Sequence, residues 1–221
     1  MAAGKSHWLD PELYAYVLAH NPEPDPVQRE LIDTTRARFP DAAGKQIPVE
    51  QGPLLALLVR LTGARHLVEV GTFTGLSALA MAQALPADGK LITLDVSEEW
   101  TGPAHEAWAK AGVADRIELR IAPALDSLRA MPAEPHIDLA FLDANKDGYI
   151  DYWEELVPRL RPGGLLVVDN VLFGGTVLDP SGGHPMGAAV RAFNEHATAD
   201  DRMESVLLTV ADGLTLARKR G

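Results

Sequence analysis

MPAEPHIDLAFLDANKDGYIDYWEE, residues 131 to 155, admits two readings that lead to different folds. In the first, Asp143, Asn145 and Asp147 alternate, Gly148 follows, and Glu154 closes a twelve-residue calcium loop over 143–154. Oxygen ligands at positions 1, 3, 5 and 12 with a glycine at position 6 are what wraps a hard cation. Such a loop needs an entering helix, and Pro132 and Pro135 restrict any helix there to about two turns. In the second reading HIDLAFL is a buried strand, and Asp143 stands at its carboxyl end. What decides between them is whether the rest of the chain supplies a sheet for that strand.

It does. HLVEV, KLITLDV, RIELRI, HIDLAFLDA and GGLLVVDN are short apolar runs separated by the helical segments GLSALAMAQAL, EEWTGPAHEAWAKAG, ALDSLRAM and YIDYWEELVPRL. Five strands alternating with four helices predict a parallel, doubly wound α/β sheet covered on both faces. After a glycine-rich connection, FGGTVLDPSGGHPMG, come a helix AAVRAFNEHAT and two strands, ESVLLTV and LTLARKR, joined so closely by ADG that they must be antiparallel. A mostly parallel seven-stranded sheet finished by a C-terminal antiparallel hairpin resembles the class I methyltransferase arrangement rather than that of dinucleotide dehydrogenases. Ahead of it, DPELYAYVLAH and PDPVQRELIDTTRARF each open with Asp-Pro, the N-cap and first-turn signature of a helix. We read 1–221 as a single domain, with 1–48 a helical lid or packing segment and 49–221 a Rossmann-like core.

Composition narrows the function classes. With 221 residues, 47% apolar and 23% charged, the chain has the makeup of a globular protein with a sizeable core. Its apolar runs are too short to span a bilayer and MAAGKSHWLDPELYAY lacks a signal peptide's apolar core, so a cytoplasmic location is the expectation. There are no cysteines, which removes disulfides, thiolate nucleophiles and zinc-thiolate sites. A formal charge of -11 disfavours a nucleic-acid-binding surface, and the terminal ARKRG reads as a solvated end.

In a doubly wound sheet the ligand crevice lies outside the carboxyl ends of the strands. Glu69, Asp95, Asp143 and Asp169 all fall at or beside such ends, although any one of them alone could be a helix cap or a loop residue. EVGTFTGLS, residues 69 to 77, is a glycine turn without the G-x-G-x-x-G spacing that seats a pyrophosphate. Gly71 and Gly75 would let an amino-acid moiety approach the backbone, and Asp95 is placed to accept from ribose hydroxyls. That combination suits S-adenosylmethionine. Asp143, Asp169 and Asn170 can converge from neighbouring strand ends; three oxygen donors without His or Cys call for Mg2+, with Ca2+ or Mn2+ as alternatives, and leave positions open for substrate. The competing reading makes Asp169 and Asn170 the start of a turn.

EVGTFTGLS, LDVSEEW, FLDANKDGY and VVDNVLFGG, in this order, resemble the cation-dependent O-methyltransferases, the group of catechol O-methyltransferase and caffeoyl-coenzyme A O-methyltransferase. The resemblance covers nearly the whole chain. It implies S-adenosylmethionine as donor, a divalent metal, a vicinal dihydroxy aromatic acceptor and a homodimer. It implies cofactor contacts at Ile47, Glu69, Gly71, Thr72, Ser77, Asp95 and Ala124, metal ligands at Asp143, Asp169 and Asn170, and a base at Lys146. The competing role for Lys146 is a solvated lysine paired with Asp147 or Glu154. Phe173 and Gly174 stand where plant relatives carry Trp-Asn, and Ala122 where the family has glycine, so those contacts do not transfer. The acceptor pocket is expected between the first twenty residues, including Lys5, and the 173–186 loop, whose Gly174, Gly175, Gly182 and Gly183 would permit closure. His184 is expected at the surface, and Trp8 and Trp153 in packing. A tRNA hydroxyuridine methyltransferase is the alternative within the fold, and the calcium module the alternative outside it.

Overall fold

The computed structural model describes residues 10–179 and 183–221. Three helices come first: α1 (Pro11–Ala19), α2 (Pro26–Arg38) and α3 (Gln51–Thr62). Asp10 and Asp25 are their predicted N-caps: the Asp10 carboxylate accepts from Leu13 N, and Asp25 forms a capping box with Gln28. The core then alternates as β1 (His66–Val70), α4 (Leu76–Ala84), β2 (Lys90–Asp95), α5 (Glu98–Lys110), β3 (Ile117–Ile121), α6 (Ala124–Arg129), β4 (Ile137–Leu142), α7 (Tyr149–Arg159) and β5 (Leu160–Asp169). It closes with α8 (Pro185–Ala199), β6 (Met203–Leu208) and β7 (Leu214–Lys219). Among the described residues the sheet has seven strands in the order β3-β2-β1-β4-β5-β7-β6, and only β7 runs antiparallel to its neighbours.

HIDLAFL is therefore a central strand. All six residues of β4 are buried, and successive side chains feed opposite faces. Leu139 and Phe141 pack with Leu79, Leu91 and Trp108 on one side, while Ala140 and Leu142 pack with Trp153, Val168 and Phe193 on the other. A strand that must satisfy two apolar layers has no polar alternation to show, which is why its sequence is a continuous apolar run. The exception is Asp138, which accepts from Arg65 N at 2.7 Å and His66 N at 2.8 Å and pairs with the Arg161 guanidinium. It ties the starts of β1 and β5 to β4 at the edge of the sheet opposite the strand ends.

Two elements extend beyond their sequence signals. β5 begins at Leu160, earlier than the GGLLVVDN run, pairing with Ile137 ahead of a register shift between Ile137 and Leu139. α8 begins at Pro185, where His184 Nδ1 accepts from Gly187 N at 3.3 Å; an exposed histidine acts as a cap in place of the usual Ser, Asp or Asn. The basic tail is solvated at Arg218 and Arg220, as expected, but Arg218 and Lys219 belong to β7, and Lys219 Nζ donates to the carbonyls of Pro158 and Leu160 at 3.0 and 2.8 Å. Among the described residues no helix is long and apolar enough to cross a membrane.

Burial by itself would raise the Asp138 carboxyl, but the two backbone donors and Arg161 outweigh it and hold it below the usual carboxylate range. A depressed carboxylate contributes stability that is present above its unfolded pKa and lost as pH falls through the folded one. Asp138→Ala is expected to cost about 2 to 4 kcal/mol, because it leaves two backbone donors and an arginine without their acceptor. Urea unfolding should show a lower midpoint at unchanged slope, and the difference from the parent chain should shrink in strong acid.

Candidate active site

The carboxyl ends of β1, β2, β4 and β5 open onto a cavity of about 850 Å³. Its two halves meet at Gly71. This residue has φ +98°, and a Cβ there would fall 1.9 Å from the carbonyl oxygen of Asp143, so the turn after β1 lies directly against the end of β4. Gly75, at φ +83°, is required for a different reason: a Cβ would meet Ala104 at 2.7 Å and Trp108 at 2.9 Å. A side chain is thus excluded at both positions, by backbone at one and by α5 at the other, while both glycines line the cavity. What they build is the turn itself, whose Thr72 and Phe73 amides donate to one Asp95 oxygen at 3.0 and 2.8 Å. Val96 N and Ser97 N donate to the other, at 2.7 and 2.9 Å, so the Asp95 carboxylate is fixed in place.

Thr72, Ser77, Asp95, Ala124 and Ile47 all line this side of the cavity. Ile47 is delivered by the loop ahead of α3, where Gln46 Nε2 donates to the hydroxyls of Thr35 in α2 and Thr74 in the glycine turn, each at 3.0 Å. Glu69 is not in the lining; it lies fully buried beneath the turn. Thr93 donates to its Oε2, while Oε1 has no hydrogen-bond partner. Burial pushes the Glu69 carboxyl up to about 8, with the Ser77 and Thr93 hydroxyls working against the shift.

On the other side, Asp143, Lys146, Asp169 and Asn170 line the cavity together. Asn170 takes a left-handed φ of 55°, a conformation asparagine tolerates, directly after the last residue of β5. Asp169 is 2% exposed, and burial followed by the charge of Asp143 pushes its carboxyl up to about 6, against donors from Gln51 and Asn170. Among the described residues no group of three or more His, Cys, Asp or Glu is arranged to hold a metal ion; the set here is two carboxylates and an amide. A buried acid and a half-buried one that repel one another form an oxygen donor set that a hard cation would fit.

Lys146 lies in a short 3-10 turn (Lys146–Gly148) between β4 and α7, and is paired with neither Asp147 nor Glu154. Its Nζ donates to Asp143 Oδ1 at 2.9 Å and to Tyr149 Oη at 2.6 Å, and Tyr149 Oη donates to the Asp169 carbonyl at 3.0 Å. Burial, then the charges of Asp143 and Asp169, push the Tyr149 hydroxyl well above its ordinary range, which keeps it a donor. Glu154 instead binds Arg202 at 2.7 Å and His196 at 2.8 Å. The calcium reading therefore fails twice: a strand enters the loop, and its closing ligand is engaged elsewhere.

Tyr149, Gln51 and Asp212 were not singled out by their sequence. Tyr149 follows Lys146 by three residues, a spacing that brings side chains together on a helical turn and could have flagged it. Gln51 and Asp212 carry no local signal; Asp212 Oδ1 accepts from Gly174 N at 2.7 Å, and with Ala211 it brings the β6–β7 turn to the cavity beside Phe173. Trp153 is wholly packed, with Nε1 donating to Asp200 at 2.7 Å. Lys5, Trp8 and Gly182 lie outside the described residues.

Known proteins share this fold. The O-methyltransferase family profile matches residues 20–220. A probable caffeoyl-CoA O-methyltransferase 2 of Dictyostelium discoideum is 37% identical over 208 residues, 92% of this chain and 90% of that one. The O-methyltransferase TomG of Streptomyces achromogenes, solved with S-adenosylmethionine, superposes with a TM-score of 0.86 at 33% identity over 95% of this chain and 96% of that one. An O-methyltransferase of Bacillus cereus, solved with S-adenosylhomocysteine, does so with a TM-score of 0.85 at 31% identity over 93% and 96%. With its sheet order, its strand-end cavity and a match over nearly its full length, the chain belongs to the O-methyltransferase family and is a methyl-transfer enzyme.

Proposed function

We propose that this enzyme transfers the methyl group of S-adenosylmethionine to one hydroxyl of a catechol-type small molecule, with a divalent cation, Mg2+ first, held by Asp143, Asp169 and Asn170. The observation that carries the reading is that the buried Asp169 carboxylate and the half-buried Asp143 carboxylate line the same cavity as Lys146. Such a cation would stabilise the phenolate of an acceptor that otherwise titrates near 10. The caffeoyl group in the relative's name is a vicinal diphenol, and the neighbours solved with S-adenosylmethionine and with its product S-adenosylhomocysteine support the donor.

On the donor side, Asp95 is the acceptor for a ribose at the rim, and the buried Glu69 carboxyl, approached by the hydroxyl of the cavity-lining Ser77, supplies negative charge beneath an α-ammonium. Ile47, Gly71, Thr72, Ser77 and Ala124 complete the donor's surroundings. Lys146, gripped by Asp143 and Tyr149, is the group that takes the acceptor's proton. The oxygen–carbon bond forms as the carbon–sulfur bond breaks, and S-adenosylhomocysteine leaves. The walls contribute by holding oxygen, methyl and sulfur in line. A tRNA acceptor is disfavoured by the charge of -11 and by the use of Lys219 as a backbone donor.

Asp169→Ala is expected to reduce metal-stimulated turnover at least 100-fold while S-adenosylhomocysteine affinity stays within a few-fold. Glu154→Gln should leave metal stimulation intact. Metal titrations monitored by turnover and by calorimetry check both; a metal response lost in the second variant instead of the first would refute this ligand set.

Glu69 generates a pH prediction. Its raised pKa means that the fold favours the protonated form, so this contribution to stability is present at low pH and lost as pH rises through about 8. An arriving ammonium favours the carboxylate, so binding at pH 7 should release close to one proton. Calorimetry of S-adenosylhomocysteine binding in two buffers of different ionisation enthalpy measures that number, and Glu69→Gln should abolish it.

A further inference from the structure

Gln51, the first residue of α3, is fully buried, yet it lies outside every role assigned above. Its Nε2 donates to Asp169 Oδ2 at 2.9 Å, although the two residues are 118 positions apart. The other Asp169 oxygen accepts from Asn170 N at 2.6 Å, so one donor fixes each oxygen of the carboxylate. At the far end of the Gln51 amide, Oε1 has no hydrogen-bond partner. Turning the amide over would aim that oxygen at a carboxylate, so the network itself decides the orientation.

Stability does not account for this arrangement. A buried amide with one idle end costs about 1 to 3 kcal/mol, and an apolar side chain of similar length would occupy the same space without that cost. Nor is the side chain needed to hold the start of α3. The Gln51 amide already donates to Pro48 O at 3.0 Å, and Tyr14 Oη anchors the preceding Glu50 carboxylate at 3.0 Å. What the Gln51 side chain uniquely does is restrict the rotation of Asp169 at the cavity wall.

We propose that Gln51 is a positioning residue that presents the Asp169 carboxylate to the divalent cation, acting from the N-terminal segment on a ligand supplied by β5. The inference rests on the metal reading of the proposed function. Partners that orient a metal's ligands are typically worth about 10- to 100-fold in metal affinity. The same segment delivers Ile47 to the cavity lining.

The test uses the full chain, with Mn2+ as the probe, followed by calorimetry and by the electron paramagnetic resonance signal of the free ion. Gln51→Met keeps length and helix propensity and removes only the donor. It should weaken Mn2+ binding at least 10-fold, leave S-adenosylhomocysteine affinity within about two-fold, and recover most of kcat at saturating Mn2+. A folded Gln51→Met chain with parental Mn2+ affinity overturns the inference. Should that variant not fold, Gln51→Glu supplies the second arm, because it places a second carboxyl against Asp169, whose repulsion a bound cation relieves. Its Tm should rise more on adding Mg2+ than that of the parent, and an equal rise overturns the inference. Absence of Mn2+ binding by the parent chain would overturn the metal reading, and this inference with it, before any variant is compared.

Discussion

The backbone contact between Gly71 and Asp143 is the constraint on which the rest of the site depends. Because no side chain fits at Gly71, the turn after β1 and the end of β4 lie against each other, and a donor half and an acceptor half share one cavity. Hydrogen bonds across the junction fix the register: Gly71 N donates to Leu94 O and Asp143 N to Val70 O, each at 2.9 Å. The glycine turn, the Asp95 carboxylate and the Asp143–Lys146–Tyr149 chain are thereby positioned by a single strand-to-strand approach.

Around that junction four acids at or beside strand ends have four different environments, and the environment assigns each its chemistry. Asp95 sits at the rim with four backbone donors. Glu69 is sealed below with an idle oxygen, so its charged form is costly. Asp143 is satisfied by Lys146, whereas Asp169 is buried beside that same acid and held by Gln51 and the Asn170 amide. Acids at or near the ends of parallel strands are thus separated by burial and by their donors rather than by residue type.

Much of this was legible. The alternation of apolar runs and helical segments predicted the parallel sheet because β4 and its neighbours are buried on both faces, and the short ADG connection predicted the antiparallel hairpin. The Asp-Pro starts of α1 and α2 were legible because capping is chemistry within one turn of chain. The start of α8 was not, since His184 is an unusual cap, and neither was the early start of β5, since its first residue pairs ahead of a register shift. The calcium pattern was spelled in full and still failed, because a motif fixes residue spacing but not the element that enters it.

The sequence by itself determined the order of strands and helices, the hairpin, and the four acids and the lysine at strand ends. Those follow from periodicity and local propensity, which act over a few residues. Only the tertiary structure decided that Gly71 is reserved for Asp143, that Lys146 turns to Tyr149 instead of Asp147 or Glu154, and that Gln51 reaches Asp169. Contacts between residues far apart in the chain depend on how the layers pack, and no local pattern encodes which donor a buried carboxylate will meet.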